Sequence, residues 1–213
     1  MKKTKQKILD QSRLLFNDVG YAQVTIRMIA SALSMSSGNL NYHFRKREDI
    51  LEALYFEMVA VFDRRVQSVE DQKISLQLMQ ADIQNSMKRM LDYRFFWTDL
   101  YFLLNGNPKI KTHFTEARAA RTKGYFFVFE SLKAQKILKP ASFQKEYQFL
   151  IDRMIDFSNT WLYASVLYDS KKEDHEIIEI ASFQLLSLLY PYLTSEGQDE
   201  FKRLYPPYFL DQL

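Results

Sequence analysis

The sequence contains no cysteine, which rules out a disulfide framework, thiolate chemistry and cysteine-based zinc sites. Glycine and proline are scarce, at five each in 213 residues, and no Val/Thr-rich alternating stretch is present, so a nearly all-helical chain is expected. Long apolar runs are missing too. The longest, Phe95 to Leu104, is interrupted by Thr98 and Asp99 and falls well short of the ~20 residues that span a bilayer. The start, MKKTKQKILDQSRLLF, interleaves charge with apolar residues every few positions, unlike a secretory signal, and a soluble cytoplasmic protein is the expectation. Histidines stand only at 43, 113 and 175, with no HExxH pair and no glycine-rich phosphate loop. Metal hydrolysis and nucleotide chemistry therefore lack their usual parts, and neither an enzyme nor a bound cofactor or metal is expected. The pair Glu173-Asp174 follows two lysines in an expected loop and reads as solvated charge.

What the chain does have is apolar content, 47% of residues, enough for a substantial core in a small domain plus a larger one. Net charge is only +3, but it is unevenly placed: residues 1–48 carry nine Lys/Arg against three acidic residues, a net +6, leaving −3 for the remainder. A basic N-terminal part on a mildly acidic body suits attraction to phosphate at one end.

The segment Val24 to Leu51, VTIRMIASALSMSSGNLNYHFRKREDIL, reads as two short helices, a tight turn and a basic cluster. Thr25 can cap the first helix, and Ile26, Ile29, Ala30 and Leu33 then recur at helical spacing. Ser34-Met35-Ser36 breaks the pattern, and Ser36 or Ser37 can cap a second helix through His43. This is a helix-turn-helix arrangement. In the second helix only Leu40 and Phe44 are obvious core residues. Ser37, Gly38, Asn39, Asn41, Tyr42 and His43 are left to face something polar. Asn side chains present donor and acceptor to base edges, and Tyr and His can hydrogen-bond phosphate oxygens.

Gly38, Leu40, Tyr42, His43 and Phe44, with the run Arg45-Lys46-Arg47-Glu48-Asp49 and then Ile50 and Leu51, resemble the signature of TetR-type transcriptional regulators. The resemblance extends upstream to Ile8, Phe16, Gly20, Tyr21, Thr25, Ile29 and Ala30, so it covers roughly the first fifty residues. Three positions depart from the pattern. Ser34 stands where a turn glycine is usual, and a left-handed backbone there costs a non-glycine residue about 1 kcal/mol. Asn41 replaces a common aromatic, which bears on base preference. Arg47 replaces the lysine that contacts phosphate, and keeps its charge.

The expected architecture is all-α: an N-terminal three-helix helix-turn-helix DNA-binding domain over residues 1–48, a linking helix over about 46–69, and a larger helical effector-binding and dimerisation domain over 49–213. The first helix is expected from about Thr4 to Asp18, ending at Gly20. A tilt of the linking helix would move the reading head. Beyond it, amphipathic stretches are expected over Leu76 to about Asn105, a short piece after Pro108, Thr115 to about Gln135, Ser142 to Tyr168 and Glu173 to Leu193, broken at Asn105-Gly106-Asn107-Pro108 and Leu138-Lys139-Pro140. The tail around Pro206-Pro207-Tyr208-Phe209 reads as a surface strap or a frayed end.

Leu150, Ile151, Met154, Ile155, Phe157, Ser158, Trp161, Leu162 and Ser165 cover more than one face of a helix, as do Ile177, Ile180, Ala181, Gln184, Leu185, Leu188 and Leu189. Such helices need more than one partner. A homodimer through about 142–168 and 173–193 is expected, and the resemblance implies a four-helix bundle there. The alternative is that the same residues form intrachain core.

The expected DNA-binding set is Thr25, Arg27, Ser36, Ser37, Gly38, Asn39, Asn41, Tyr42, His43 and Arg47. Tyr42, His43 and Arg47 fall on phosphates; Arg27, Ser37, Asn39 and Asn41 fall on base edges or nearby backbone. Aromatic residues are dense between 93 and 130, and Trp97, Tyr101, His113, Phe126, Asn159 and Trp161 are the candidates for lining an effector cavity, with Asp99 and Asp156 as further polar anchors. The reading is a ligand-responsive homodimeric transcriptional regulator, a repressor, whose partners are operator DNA and an apolar or amphipathic small molecule. The competing reading is a helical ligand-binding or scaffold protein that keeps the fold without reading DNA.

Overall fold

The computed structural model describes residues 2–69, 73–168 and 171–209, which form eleven α-helices and two short 3-10 turns. The chain divides into two compact units, one of residues 1–71 with 92–113 and the other of 72–91 with 114–213. Among the described residues no helix is long and apolar enough to cross a membrane.

The first unit holds α1 (Lys2–Val19), α2 (Ile26–Ala32), α3 (Ser37–His43), α4 (Arg47–Val69), α6 (Arg94–Thr98), α7 (Leu100–Gly106) and the opening turn of α8 (Pro108–Ala134). Helix α1 stops at Gly20, whose φ of +88° is open to glycine alone without strain and whose N–H reaches the Phe16 carbonyl at 3.1 Å. Ile8, Phe16, Val24, Ile29, Leu40, Ile50 and Leu54 are fully buried, so each of the first four helices contributes to one core. Helices of seven residues are unstable in isolation. Burial of Leu40, worth about 1.5–3 kcal/mol, is therefore what holds α3 in place.

The expected single helix over 76–105 is instead three: α5 (Leu76–Asp92), α6 and α7. No proline or glycine breaks it. Tyr93, Phe95, Phe96 and Trp97 are all buried, and consecutive residues 100° apart cannot share one face of a straight helix. Side chains of α1 take over the freed backbone groups at the break: Asn17 Nδ2 and Arg13 Nη1 donate to the Asp92 carbonyl at 2.9 and 3.1 Å, and Asn17 Oδ1 accepts from the Phe95 N–H at 3.1 Å.

Pro108 opens α8 rather than preceding a separate piece, since proline suits the first helical position and Asn107 Oδ1 caps the turn by accepting from the Ile110 N–H at 3.0 Å. The same Asn107 donates to Glu52 on α4 at 3.1 Å, and Lys109 Nζ meets the other Glu52 oxygen at 2.9 Å.

The second unit packs α5, most of α8, α9 (Glu146–Tyr168), α10 (Asp174–Ser187) and α11 (Ser195–Leu204). Leu150, Ile151, Met154, Ile155, Trp161 and Leu162 of α9 are at most 2% exposed, and Leu185 and Leu186 of α10 are equally buried. Helix α11 was not expected: its polar run SEGQDE looks like loop, yet Thr194 Oγ1 caps it by accepting from the Gly197 N–H at 3.2 Å. Gly197 lies where any Cβ would collide with the Ile137 carbonyl oxygen. The end of the described chain is a strap, with Tyr208 stacked on Phe183 of α10 at 3.9 Å between ring centroids.

Candidate nucleic-acid interface

Helices α2 and α3 are built from their caps. Thr25 has extended backbone angles and its Oγ1 accepts from the Met28 N–H at 3.3 Å; Ser36 does the same for α3, accepting from the Asn39 N–H at 3.1 Å. Both hydroxyls expected at the DNA are thus first of all helix caps. Between them Ser34 has φ +52°, so the left-handed turn is made without the usual glycine. The Ser34 N–H bonds the Ser31 carbonyl and the Met35 N–H bonds the Ala30 carbonyl, each at 3.0 Å, which fixes the angle at which α3 leaves.

With Leu40 alone buried in α3, its other side chains are displayed. Gly38, Asn39, Asn41 and Tyr42 are exposed, Tyr42 by 73%, while Ser37 and His43 are half-buried. Arg27 on α2 is exposed as well. A Cβ at Gly38 would meet nothing closer than Ser36 Oγ at 3.9 Å, so packing does not demand glycine there. Its effect is to leave the backbone bare for a close approach from outside.

Arg47 departs from its expected place. Its Nη1 donates to the carbonyls of Tyr21, Ala22 and Val24 at 2.9, 3.1 and 2.9 Å, and the guanidinium lies over the Tyr21 ring at 4.2 Å. Burial pushes the Tyr21 hydroxyl above its ordinary pKa, with the Arg47 charge opposing. Arg47 therefore ties the start of α4 to the connector after α1, and a phosphate contact would have to compete with these bonds. The neighbours Arg45 and Lys46 are exposed instead. In sequence the three cations are adjacent and alike; which one turns inward depends on the unpaired carbonyls of 21–24, a tertiary fact that the motif does not carry.

The six candidates for an effector site are divided between the two units. Trp97 is buried, Tyr101 is 83% exposed and His113 Nδ1 is hydrogen-bonded to Tyr55 Oη at 2.8 Å, all in the first unit. In the second unit Trp161 is core, its Nε1 donating to Met90 Sδ at 3.3 Å, and Phe126 borders an open depression of about 590 Å³ beside Tyr147 and Phe149. Asn159 lies apart from that depression, accepting from Arg121 Nη1 at 2.9 Å. The other suggested anchors also have settings of their own: burial raises the Asp99 pKa, and Asp156 is paired with Arg118 at 2.6 Å.

A family model described as "Bacterial regulatory proteins, tetR family" matches residues 8–54, and a second, "Bacterial transcriptional repressor" of the TetR type, matches residues 57–201. No curated protein matched the sequence. Among solved structures, a TetR-family transcriptional regulator from Marinobacter aquaeolei VT8 is 28% identical, with 96% of this chain and 98% of that one covered and a TM-score of 0.87. A transcriptional regulator from Saccharomonospora viridis in complex with choline is 18% identical, covering 91% of this chain and all of that one (100%), with a TM-score of 0.69. SmeT, the repressor of the Stenotrophomonas maltophilia multidrug efflux pump SmeDEF, is 12% identical over 90% and 91% of the two chains, with a TM-score of 0.64.

Proposed function

We propose, from the premise that this chain belongs to the TetR family of bacterial DNA-binding transcriptional regulators and is not an enzyme, that it is a ligand-responsive repressor acting in the cytoplasm as a homodimer. The observation that carries the reading is the bareness of α3: one buried residue, a cap at each end, and Asn39, Asn41 and Tyr42 free to meet a groove.

On this reading the DNA-reading part is residues 1–48 and effector and dimer functions lie beyond. Tyr42 and His43 bind phosphates, joined by the exposed Arg45 and Lys46, while Arg47 holds the frame from which they project. Asn39 and Asn41 reach base edges, with Arg27 and Ser37 at their flanks. The dimer forms on the outer side of α9 and α10. Most of the α9 residues expected at the dimer are buried within the protomer, with Phe157 and Ser158 half-buried, but Phe149, Tyr163, Val166, Leu167 and Tyr168 are each about half exposed or more, and Ile177 and Ile180 of α10, with Leu188 just past its end, are half-buried. Two such heads read half-sites ~34 Å apart or a multiple of it. An amphipathic effector in the larger unit favours a dimer whose heads no longer match that spacing. The choline complex of the S. viridis regulator supports small-molecule binding on this fold.

The test is fluorescence anisotropy with DNA from around the protein's own gene, at two salt concentrations, against random DNA. Tyr42→Ala should weaken binding to every sequence, whereas Asn41→Ala should change preference by about 1–3 kcal/mol at one base position. Equal losses in both variants on specific and random DNA would refute this division of roles. Salt-insensitive binding would refute phosphate contact altogether.

A further inference from the structure

The buried side of α1 begins on a charge. Ile8, Leu9, Ser12 and Phe16 recur at helical spacing and are buried, and the next position of that register toward the N-terminus is Lys5, which is exposed. Its Nζ lies 5.6 Å from the centroid of the Phe44 ring. Phe44 is the residue that closes α3: its N–H bonds the Leu40 carbonyl at 3.0 Å, and it is 8% exposed. A position that the pattern of α1 would fill with an apolar side chain thus holds an ammonium over the exit of α3.

The charge around that exit is of one sign. Arg45 and Lys46, the two residues after Phe44, are exposed as well. The acids nearby in sequence serve other groups: Glu48 faces Arg47 at 3.8 Å and the Tyr21 hydroxyl at 3.5 Å, Asp49 accepts from the Lys46 backbone N–H at 3.2 Å, and Asp10 accepts from Gln6 Nε2 at 3.2 Å. Glu52 feels the Lys46 charge only as the smallest of the influences on its carboxyl. Among the described residues no carboxylate is ion-paired with Lys5, Arg45 or Lys46. The fold therefore gathers cations from the start of α1 and from the connector after α3 beside the displayed residues Asn41 and Tyr42, an arrangement that repels itself until an anion arrives.

We propose that Lys5 is a DNA contact outside the helix-turn-helix: its ammonium neutralises a backbone phosphate of the same duplex that α3 reads. This rests on the DNA-binding reading above and extends its footprint to the first turns of α1. The Phe44 ring face attracts the ammonium and holds the side chain at the exit of α3 before DNA is present, so less side-chain freedom is lost when the phosphate arrives. A phosphate contact carries no sequence information, and Lys5 accordingly adds affinity and register on the duplex while Asn39 and Asn41 select among sequences.

Anisotropy of the full chain on DNA from around its own gene and on random DNA, at 50 and 200 mM salt, tests it. Lys5→Met removes the charge and keeps an apolar stem beside Phe44, and Lys5→Gln repeats the removal with a polar tip. Each should weaken binding to both DNAs and lower the salt slope by about 0.9 for each head on the duplex, so that the affinity ratio of wild type to variant shrinks about three- to fourfold per head between the two salt concentrations. Lys5→Arg should keep the wild-type slope. Lys123→Met, which removes the same charge from an exposed site on α8 in the second unit, should keep it too. Tm of Lys5→Met should stay within about 2 °C of the wild type, as for a surface substitution in a chain of this size. A Lys5 that only covers the core would show the opposite pair of results, a lowered Tm and an unchanged slope, and that pair overturns the proposal. So does an equal fall in slope with Lys123→Met, which would reduce the effect to net charge, or a loss confined to one of the two DNAs. The wild-type arm separates this from the underlying reading: salt-insensitive binding by the wild type overturns both, whereas salt-sensitive wild-type binding with an unaltered slope in both neutral Lys5 variants overturns the Lys5 contact alone.

Discussion

At the scale of single residues, backbone conformation and side-chain charge carry separate burdens in the head. Gly20 and Ser34 both adopt positive φ, at +88° and +52°, but only one is glycine. Gly20→Ala should therefore lower Tm by about 2–4 °C, the shift expected for about 1 kcal/mol in a chain of this size. Ser34→Gly should move Tm upward by less, because relief of the left-handed strain is partly offset by the freer unfolded chain. Thermal melts of the two variants moving in the same direction would refute this account of the turn. Arg47 and Lys46 form a second pair. Arg47→Ala leaves three carbonyls short of a donor and should cost about 1–3 kcal/mol in denaturant titration. Lys46→Ala should leave stability alone and reduce the salt slope of DNA binding by about one for each phosphate that the side chain neutralises.

At the scale of elements, the sequence was legible where local chemistry decides. Thr25, Ser36 and Gly20 announce caps and stops, and α2 and α3 fall where their spacing puts them. It was illegible where partners distant in sequence decide: the break at Tyr93 needs Asn17, the cap of α8 needs Asn107 in a setting shared with Glu52, and α11 hides in polar residues because its packing partner is Ile137. The same limit applied to the sites. Exposure of Asn39, Asn41 and Tyr42 follows from the local pattern, whereas the inward turn of Arg47 arises from tertiary neighbours. The clamp of Glu52 on Asn107 and Lys109 makes a testable element. The Lys109 hydrogen bond, aided by Asn107, holds the Glu52 carboxyl below its ordinary pKa of 4.5. Its contribution is present above that value and is lost as pH falls through the depressed one. Glu52→Gln should thus flatten the drop in Tm between about pH 5 and about pH 3, and an unaltered acid limb would show that the clamp adds nothing.

At the scale of the whole molecule, the proposed dimer divides α9 by face. Leu150, Met154 and Trp161 serve the protomer, and Phe149, Tyr163 and Leu167 its mate. Leu167→Glu should then shift sedimentation velocity from dimer to monomer while the protomer still melts cooperatively, and should weaken operator binding about 10²-fold by uncoupling the two half-sites. A dimer that persists unchanged would move the interface elsewhere.

The seven-residue α3 with its single internal side chain has a consequence for descent. Four of its positions, Gly38, Asn39, Asn41 and Tyr42, are exposed, so substitutions there leave folding nearly untouched and are judged by the target sequence alone. A lineage carrying this head can exchange one operator for another through single steps at Asn39 or Asn41, each intermediate remaining a well-folded protein.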